Sequence, residues 1–398
     1  MSLLLERCAS YTRARDARNA GLYPYFLNFD GRDAGTARMA DGREVVMCGS
    51  NDYLGLSTDP RVVAAAAEAS ARYGAGCTGS RFLNGNLDLH DELERELAEF
   101  FGKEAALVLT TGYQANLGAI SGLCGPGDLI LVDKEAHASL IDGARLSRAK
   151  IGWFAHNDVD DLADKLARLP RRGGVMVVVD GVYSMEGDLC PLPRLVEVCR
   201  EFGATLLVDD AHGGGVLDKG RGTSAHFGLT DEVPLITLTF SKAFGSIGGA
   251  VLGDADVIDY LRHHARALMF SASASPANTA AALQSLRILR EEPWRCTTVA
   301  DNAAYMRREL SALGYEVGAG STPVVPVETG DELNTLNAWN LLIEEGVYVN
   351  AVLPPAASPR LRTSYTAVQT EEHLGRALAG FAAVRDRVLA VPVVPAVA

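Results

Sequence analysis

No apolar run in the 398-residue sequence approaches the roughly 18 residues that a membrane helix requires, and its start, Met1-Ser2-Leu3-Leu4-Leu5-Glu6-Arg7, holds none. A soluble protein is expected, whose amphipathic start packs within its own assembly. The seven cysteines, at 8, 48, 77, 124, 190, 199 and 296, never form a Cys-x-x-Cys pair, so neither a disulfide framework nor a zinc site is indicated and no metal is expected. A reducing, cytoplasmic compartment suits them. Positive charge is also scarce: 37 Lys and Arg against 50 Asp and Glu leave a net −13, which argues against a nucleic-acid or anionic-membrane surface. Internal repeats are absent. Apolar residues, by contrast, make up 48% of the chain, enough at this length for a large core and more than one packed unit.

Residues 1–48 mix a polar, helix-like start with turns at Gly31, Gly35 and Gly42, and read as an arm that packs on something larger. From 49 to 285, helical stretches alternate with short β-rich runs at 105–109, 129–132, 175–179, 206–208 and 235–239. That alternation predicts an α/β domain with a mainly parallel sheet, whose ligands gather at the carboxyl ends of the strands. A helical stretch over 276–290 leads into a smaller C-terminal α/β domain, 286–398, with strand candidates at 324–327 and 347–349. The tail at 391–398 is interrupted by proline and is expected to fray.

Two segments carry chemistry. Thr239-Phe240-Ser241-Lys242-Ala243-Phe244-Gly245 follows the last β-rich run, and Asp209-Asp210-Ala211-His212 ends the run before it, Lys242 lying 33 positions after Asp209. A lysine on a tight hydroxyl- and glycine-rich loop can hold a carbonyl cofactor covalently. A heteroaromatic electron sink needs its ring nitrogen protonated, hence a buried carboxylate opposite, and Asp209 is placed for that. His212 can hydrogen-bond a ring oxygen. Singly, each residue has a plainer reading, the lysine as a solvated loop residue and the aspartate as a turn or cap. At this spacing they describe a pyridoxal phosphate (PLP) site. Thr111-Gly112-Tyr113 opens a helix after the first β-rich run, so its N–H groups and hydroxyl can cradle the cofactor's phosphate or simply cap the helix.

At these residues the chain resembles the α-oxoamine synthases, PLP enzymes of transferase fold type I that include 8-amino-7-oxononanoate synthase and bacterial serine palmitoyltransferase. The likeness runs from about Gly21 to about Val388, through Ser50-Asn51-Asp52-Tyr53-Leu54-Gly55-Leu56, Gly79-Ser80-Arg81-Phe82-Leu83-Asn84-Gly85, Thr111-Gly112-Tyr113-Gln114-Ala115-Asn116, His137-Ala138-Ser139 and Ser184-Met185-Glu186-Gly187-Asp188. The resemblance implies roles. His137 stacks on the ring and contacts the substrate carboxylate, though a histidine there also suits a helix start. Ser184 sits beside the ring oxygen, or is a turn serine. Thr239 and Ser241 add hydroxyls, and Ser271 reaches the phosphate of the neighbouring subunit, which implies a homodimer with shared sites. Asn51 contacts substrate or orders its own turn, and Arg362 grips the amino-acid carboxylate bidentately, with Arg360 a nearby confounder and a plain surface charge the other reading of either.

The implied reaction is decarboxylative condensation of a small amino acid (Gly, Ala or Ser) with an acyl thioester, on CoA or an acyl carrier protein. It yields an α-amino ketone, CO2 and free thiol. An aminotransferase or a non-catalytic subunit of the same fold are the competing readings. The subfamily signal is mixed: 79–86, 346–350 and 353–356 look like serine palmitoyltransferases, whereas 50–53, 154–158 and 209–212 look like oxononanoate synthases. Two departures lie near the expected site, a Gly213-Gly214-Gly215 run and a short loop before Arg360. The triple glycine reads either as a mobile loop that admits a bulky acyl carrier or an unusual chain, or as a turn without a specificity role. The segment 19–25 lacks the arginine run of some CoA-using relatives, which leaves a carrier-protein thioester open.

Overall fold

Short aliphatic runs closed by turn-formers build most of the strands in the computed structural model, which describes residues 2–169 and 173–389; the tail expected to fray lies outside them. An antiparallel hairpin array comes first: β1 (Phe29–Asp33), β2 (Thr36–Met39) and β3 (Glu44–Met47). Seven strands then form the central sheet: β4 (Ala105–Leu109), β5 (Leu129–Asp133), β6 (Lys150–Phe154), β7 (Val175–Asp180), β8 (Thr205–Asp209), β9 (Leu235–Thr239) and β10 (Gly249–Gly253). Their order is β4-β10-β9-β8-β7-β5-β6, with β10 antiparallel to both neighbours and the pairs from β9 to β6 parallel.

Alternation along the strands divides the core. Ala106, Val108, Val177, Val179 and Val208 join one buried cluster, while Leu107, Leu109, Met176, Val178 and Leu207 join another on the opposite face. Both faces are thus covered by helices, as a parallel sheet requires. Among the described residues, no helix is long and apolar enough to cross a membrane.

The C-terminal part contributes β11 (Val324–Glu328), β12 (Val347–Tyr348), β13 (Asn350–Val352) and β14 (Arg360–Ser364), with an antiparallel sheet ordered β11-β14-β13. β12 instead pairs in parallel with β3. Val45 and Val46 accordingly share a core with Leu342, Val347 and Phe381, so residues before position 48 pack into the C-terminal unit.

The triple glycine is a packed turn. All three residues are buried, and a Cβ on Gly213 would collide with the Asp210 carboxylate and the Thr223 hydroxyl. A Cβ on Gly214 would stand 2.5 Å from Leu238, and Gly215 holds φ +82° with 2.6 Å to Ala243. The segment is therefore held in place by its neighbours.

Candidate active site

The strand ends deliver the side chains. β7 ends at Asp180, β8 at Asp209 and β9 at Thr239, with Lys242 three residues beyond, and the segment after β5 brings in His137. The helix Gly112–Leu123 points its first turn at the same place, its start fixed by the Thr111 side chain, which accepts from the Gln114 N–H at 3.1 Å. A Cβ on Gly112 would lie 2.6 Å from Thr239, so a glycine is needed for the helix to begin against β9. Together these residues, with Tyr113, Asn116, Ser139, Ala211, His212 and Ser241, line a cavity of about 220 Å³.

Asp209 is buried, and no cationic side chain pairs with it among the described residues. Its Oδ2 accepts from Asn116 Nδ2 at 2.6 Å and its Oδ1 from the Ala211 N–H at 3.1 Å. Asn116 is held in turn: its Oδ1 accepts from the Thr237 hydroxyl at 2.6 Å, and its Nδ2 also donates to Ser139 Oγ at 2.8 Å. A buried carboxylate with neutral partners is matched to a protonated ring nitrogen. Directly opposite on β7 stands Asp180, whose Oδ1 accepts from the His137 N–H at 3.1 Å. Burial, reinforced by the neighbouring Asp209, raises Asp180 well above the usual carboxylate range.

The side-chain amine of Lys242 makes no hydrogen bond or ion pair with any described residue, while its carbonyl accepts from the Gly245 N–H at 2.9 Å. Burial holds its amine down to about 8, against the pull of Asp209 and Asp180, and the Arg362 charge adds to the depression. His137 caps the helix Ala138–Ser147 and also lines the cavity. Burial lowers the pKa of His137, and lowers that of His212 further, where the charges of Lys242 and Arg362 act in the same direction. Thr239 and Ser241 hydroxyls lie 2.8 Å apart. These hydroxyls and the start of the helix at Gly112 make a polar, anion-compatible end for a phosphate. The residues therefore fit PLP.

Four expected residues lie outside the cavity's walls in the single chain. Asn51, Ser184 and Arg362 form a second layer: Arg362 Nη2 donates to Asn51 Oδ1 at 3.1 Å, Nε to the Ser184 carbonyl at 2.6 Å and Nη1 to Ser364 Oγ at 3.1 Å. Arg362 is 5% exposed and pairs with no carboxylate among the described residues. Arg360 is neutralised by Glu186 and Glu328, each at 3.3 Å, which separates the two arginines. Ser271, the fourth, accepts from Gln114 Nε2 at 3.2 Å. Sequence reasoning passed over Asn116, Asp180, Ser139 and Tyr53. Asn116, Ser139 and Tyr53 sat inside segments that carried the resemblance, and Asp180 ends a β-rich run as Asp209 does.

Residues 43–381 match the family described as aminotransferase class I and II. A serine palmitoyltransferase of Sphingobacterium spiritivorum is 45% identical over 379 residues, covering 94% of this chain and 95% of that one. A putative 8-amino-7-oxononanoate synthase 2 of Mycobacterium tuberculosis is 44% identical over 370 residues, 92% of this chain but 48% of that longer protein. The solved lysine-to-alanine variant of the serine palmitoyltransferase of S. paucimobilis, with a PLP–myriocin aldimine bound, superposes with a TM-score of 0.94 at 33% identity, over 98% of this chain and 100% of the other. The fold is that of type I PLP-dependent transferases, PLP is the cofactor, and the chain belongs to the class I and II aminotransferase family and, within it, to the α-oxoamine synthases, PLP-dependent acyltransferases.

Proposed function

We propose that this enzyme condenses serine with a long-chain acyl thioester, releasing CO2 and the thiol and forming an α-amino ketone. The observation that carries the amino-acid half is Arg362, a buried guanidinium without a carboxylate partner, set behind a cavity that holds an unpartnered lysine amine and a buried aspartate. A buried cation left unpaired is costly, and a substrate carboxylate would relieve it. Serine, ahead of glycine or alanine, is supported by the names of the relatives at 41–45% identity.

PLP, when bound, supplies the electron sink that stabilises negative charge on the amino acid's α-carbon. Lys242 tethers the cofactor and, once displaced by the amino acid, takes the α-proton on Nζ. Asp209 keeps the ring nitrogen protonated, and His137, His212 and Ser184 are assigned to the ring. Thr111, Gly112, Tyr113, Thr239 and Ser241 are assigned to the phosphate. Arg362 and Asn51 orient the substrate carboxylate and so select which α-carbon bond is broken. Ser271 is assigned to the site of the neighbouring subunit in a homodimer; the exposed Phe82, Leu83, Tyr113, Ile247 and Phe270 support such an interface. CoA or an acyl carrier protein delivers the acyl group. A cytoplasmic location is supported by seven unpaired cysteines.

The test titrates the PLP-loaded enzyme with serine, alanine and glycine while recording the visible spectrum, then adds acyl thioesters of graded length and measures CO2, thiol and ketone. Serine is expected to give a saturable spectral change, and a long-chain thioester is expected to release CO2 and thiol in equal amounts. Conversion of the cofactor to pyridoxamine phosphate without a thioester would make the protein an aminotransferase and overturn the proposal.

A further inference from the structure

Tyr53 hydrogen-bonds His212, one of the two histidines that line the cavity. Its side chain is fully buried, and its hydroxyl lies 2.7 Å from His212 Nδ1. Among the described residues, the other hydrogen-bonding oxygen near it is Asn51 Oδ1, at 3.4 Å, which already accepts from Arg362 at 3.1 Å. A phenol has one proton to give, and the short contact to an imidazole nitrogen is the better acceptor. The His212 ring itself has no second protein partner among the described residues, and it lines the cavity. Lys242, Arg362 and His137, the charged or chargeable groups around it, oppose a positive imidazole. In a neutral ring, whichever nitrogen accepts leaves the proton on the other.

We propose that Tyr53 is a positioning residue that fixes the tautomer of His212, donating to Nδ1 so that Nε2 always presents an N–H to the cavity. The use of that N–H, to hold an oxygen of the bound cofactor, rests on the proposed assignment of His212; the tautomer itself does not. The same logic, an outer hydrogen bond choosing the state of the inner nitrogen, operates in histidines that ligate metals. Without Tyr53 the ring is free to place its proton on Nδ1, and the cavity would then meet a bare Nε2.

Two experiments test this. Neutron diffraction from deuterium-exchanged crystals of the PLP-loaded enzyme should show deuterium on the Tyr53 oxygen directed at Nδ1 and on His212 Nε2. Deuterium on Nδ1 would overturn the proposal whatever reaction the enzyme catalyses. The second is a double-mutant cycle with Tyr53→Phe and His212→Gln, read as PLP dissociation constant and as kcat/KM. Loss of the tautomer-fixing bond is expected to cost about 10-fold in the wild-type background, the scale of one buried hydrogen bond. In the His212→Gln background Tyr53→Phe is expected to cost less than about 2-fold, because no ring remains to orient. Equal losses in both backgrounds would mean that Tyr53 serves packing alone. If Tyr53→Phe fails to fold, the neutron result still decides.

Discussion

The amine of Lys242 should be reactive near neutral pH before any cofactor is attached, and the structure gives the size of the effect. With a pKa of about 8 in place of 10.5, about one fifth of the amine is neutral at pH 7.4, against roughly one part in a thousand for a free lysine, a gain of about 250-fold in nucleophile. Burial supplies most of this and the remaining charges set its sign pattern: Arg362 pushes the value down, Asp209 and Asp180 pull it up. The assay is stopped-flow mixing of PLP with cofactor-stripped enzyme from pH 6.5 to 9.5, following the visible band. Each rate is divided by that of a free lysine side chain with PLP, which cancels the titration of the aldehyde itself. The ratio should hold at its maximum below a midpoint near 8 and fall about tenfold per pH unit above it. Asp209→Asn should move that midpoint down and Arg362→Gln should move it up. A midpoint near 10.5, or shifts of the opposite sign, would refute the reasoning.

Three further outcomes are expected. Arg362→Gln should raise the KM for the amino acid by about 10- to 100-fold, the range of a lost charge-assisted hydrogen bond, whereas Arg360→Gln should change melting temperature more than KM because it strips the partner from Glu186 and Glu328. Asp180→Asn should fold, melt at or above the wild-type temperature at pH 8 and keep activity, since a carboxyl with a raised folded-state pKa costs stability once pH exceeds its unfolded value, while Asp209→Asn should lose roughly 10²-fold or more in kcat. His156 lies 3.0 Å from Asp133 and 3.1 Å from Asp188, and although burial opposes its charge these two carboxylates raise it to about 10. That stabilisation is complete below about pH 6.5 and lost as pH rises toward 10, so the melting difference between wild type and His156→Gln should be greatest in acid, of order 2 kcal/mol, and vanish above pH 10.

The sheet was legible where aliphatic runs are long and bounded by turn-formers, as at β4, β5, β7, β8 and β9, and so was the gathering of Asp209, Thr239 and Lys242 at their ends. β10 was not, because Gly249-Ala250-Val251-Leu252-Gly253 is short and flanked by glycines, and only its insertion between β4 and β9 makes it a strand. β6 at the sheet edge carries Lys150 and Trp153 among its outward positions and shows no clean period. Within the site, Asp180 was hidden for a different reason. Its importance lies in facing Asp209 across one register step, which no local pattern announces. Tyr53 and Asn116 likewise act through partners 159 and 93 positions away.

The pairing of β3 with β12 has a consequence for synthesis. The residues that line the cavity, from Thr111 to Lys242, come from one continuous stretch and can assemble as soon as the central sheet is made. Asn51, by contrast, waits for Arg362, 311 positions later, and Gly49 for Asn350, 301 positions later. Domains complete as the ribosome delivers them, and such distant contacts are slow to close. A nascent chain would therefore complete its cavity well before the layer of Asn51 and Arg362 behind it, and the hairpin array at its beginning would stay without its core until almost the last strand emerged.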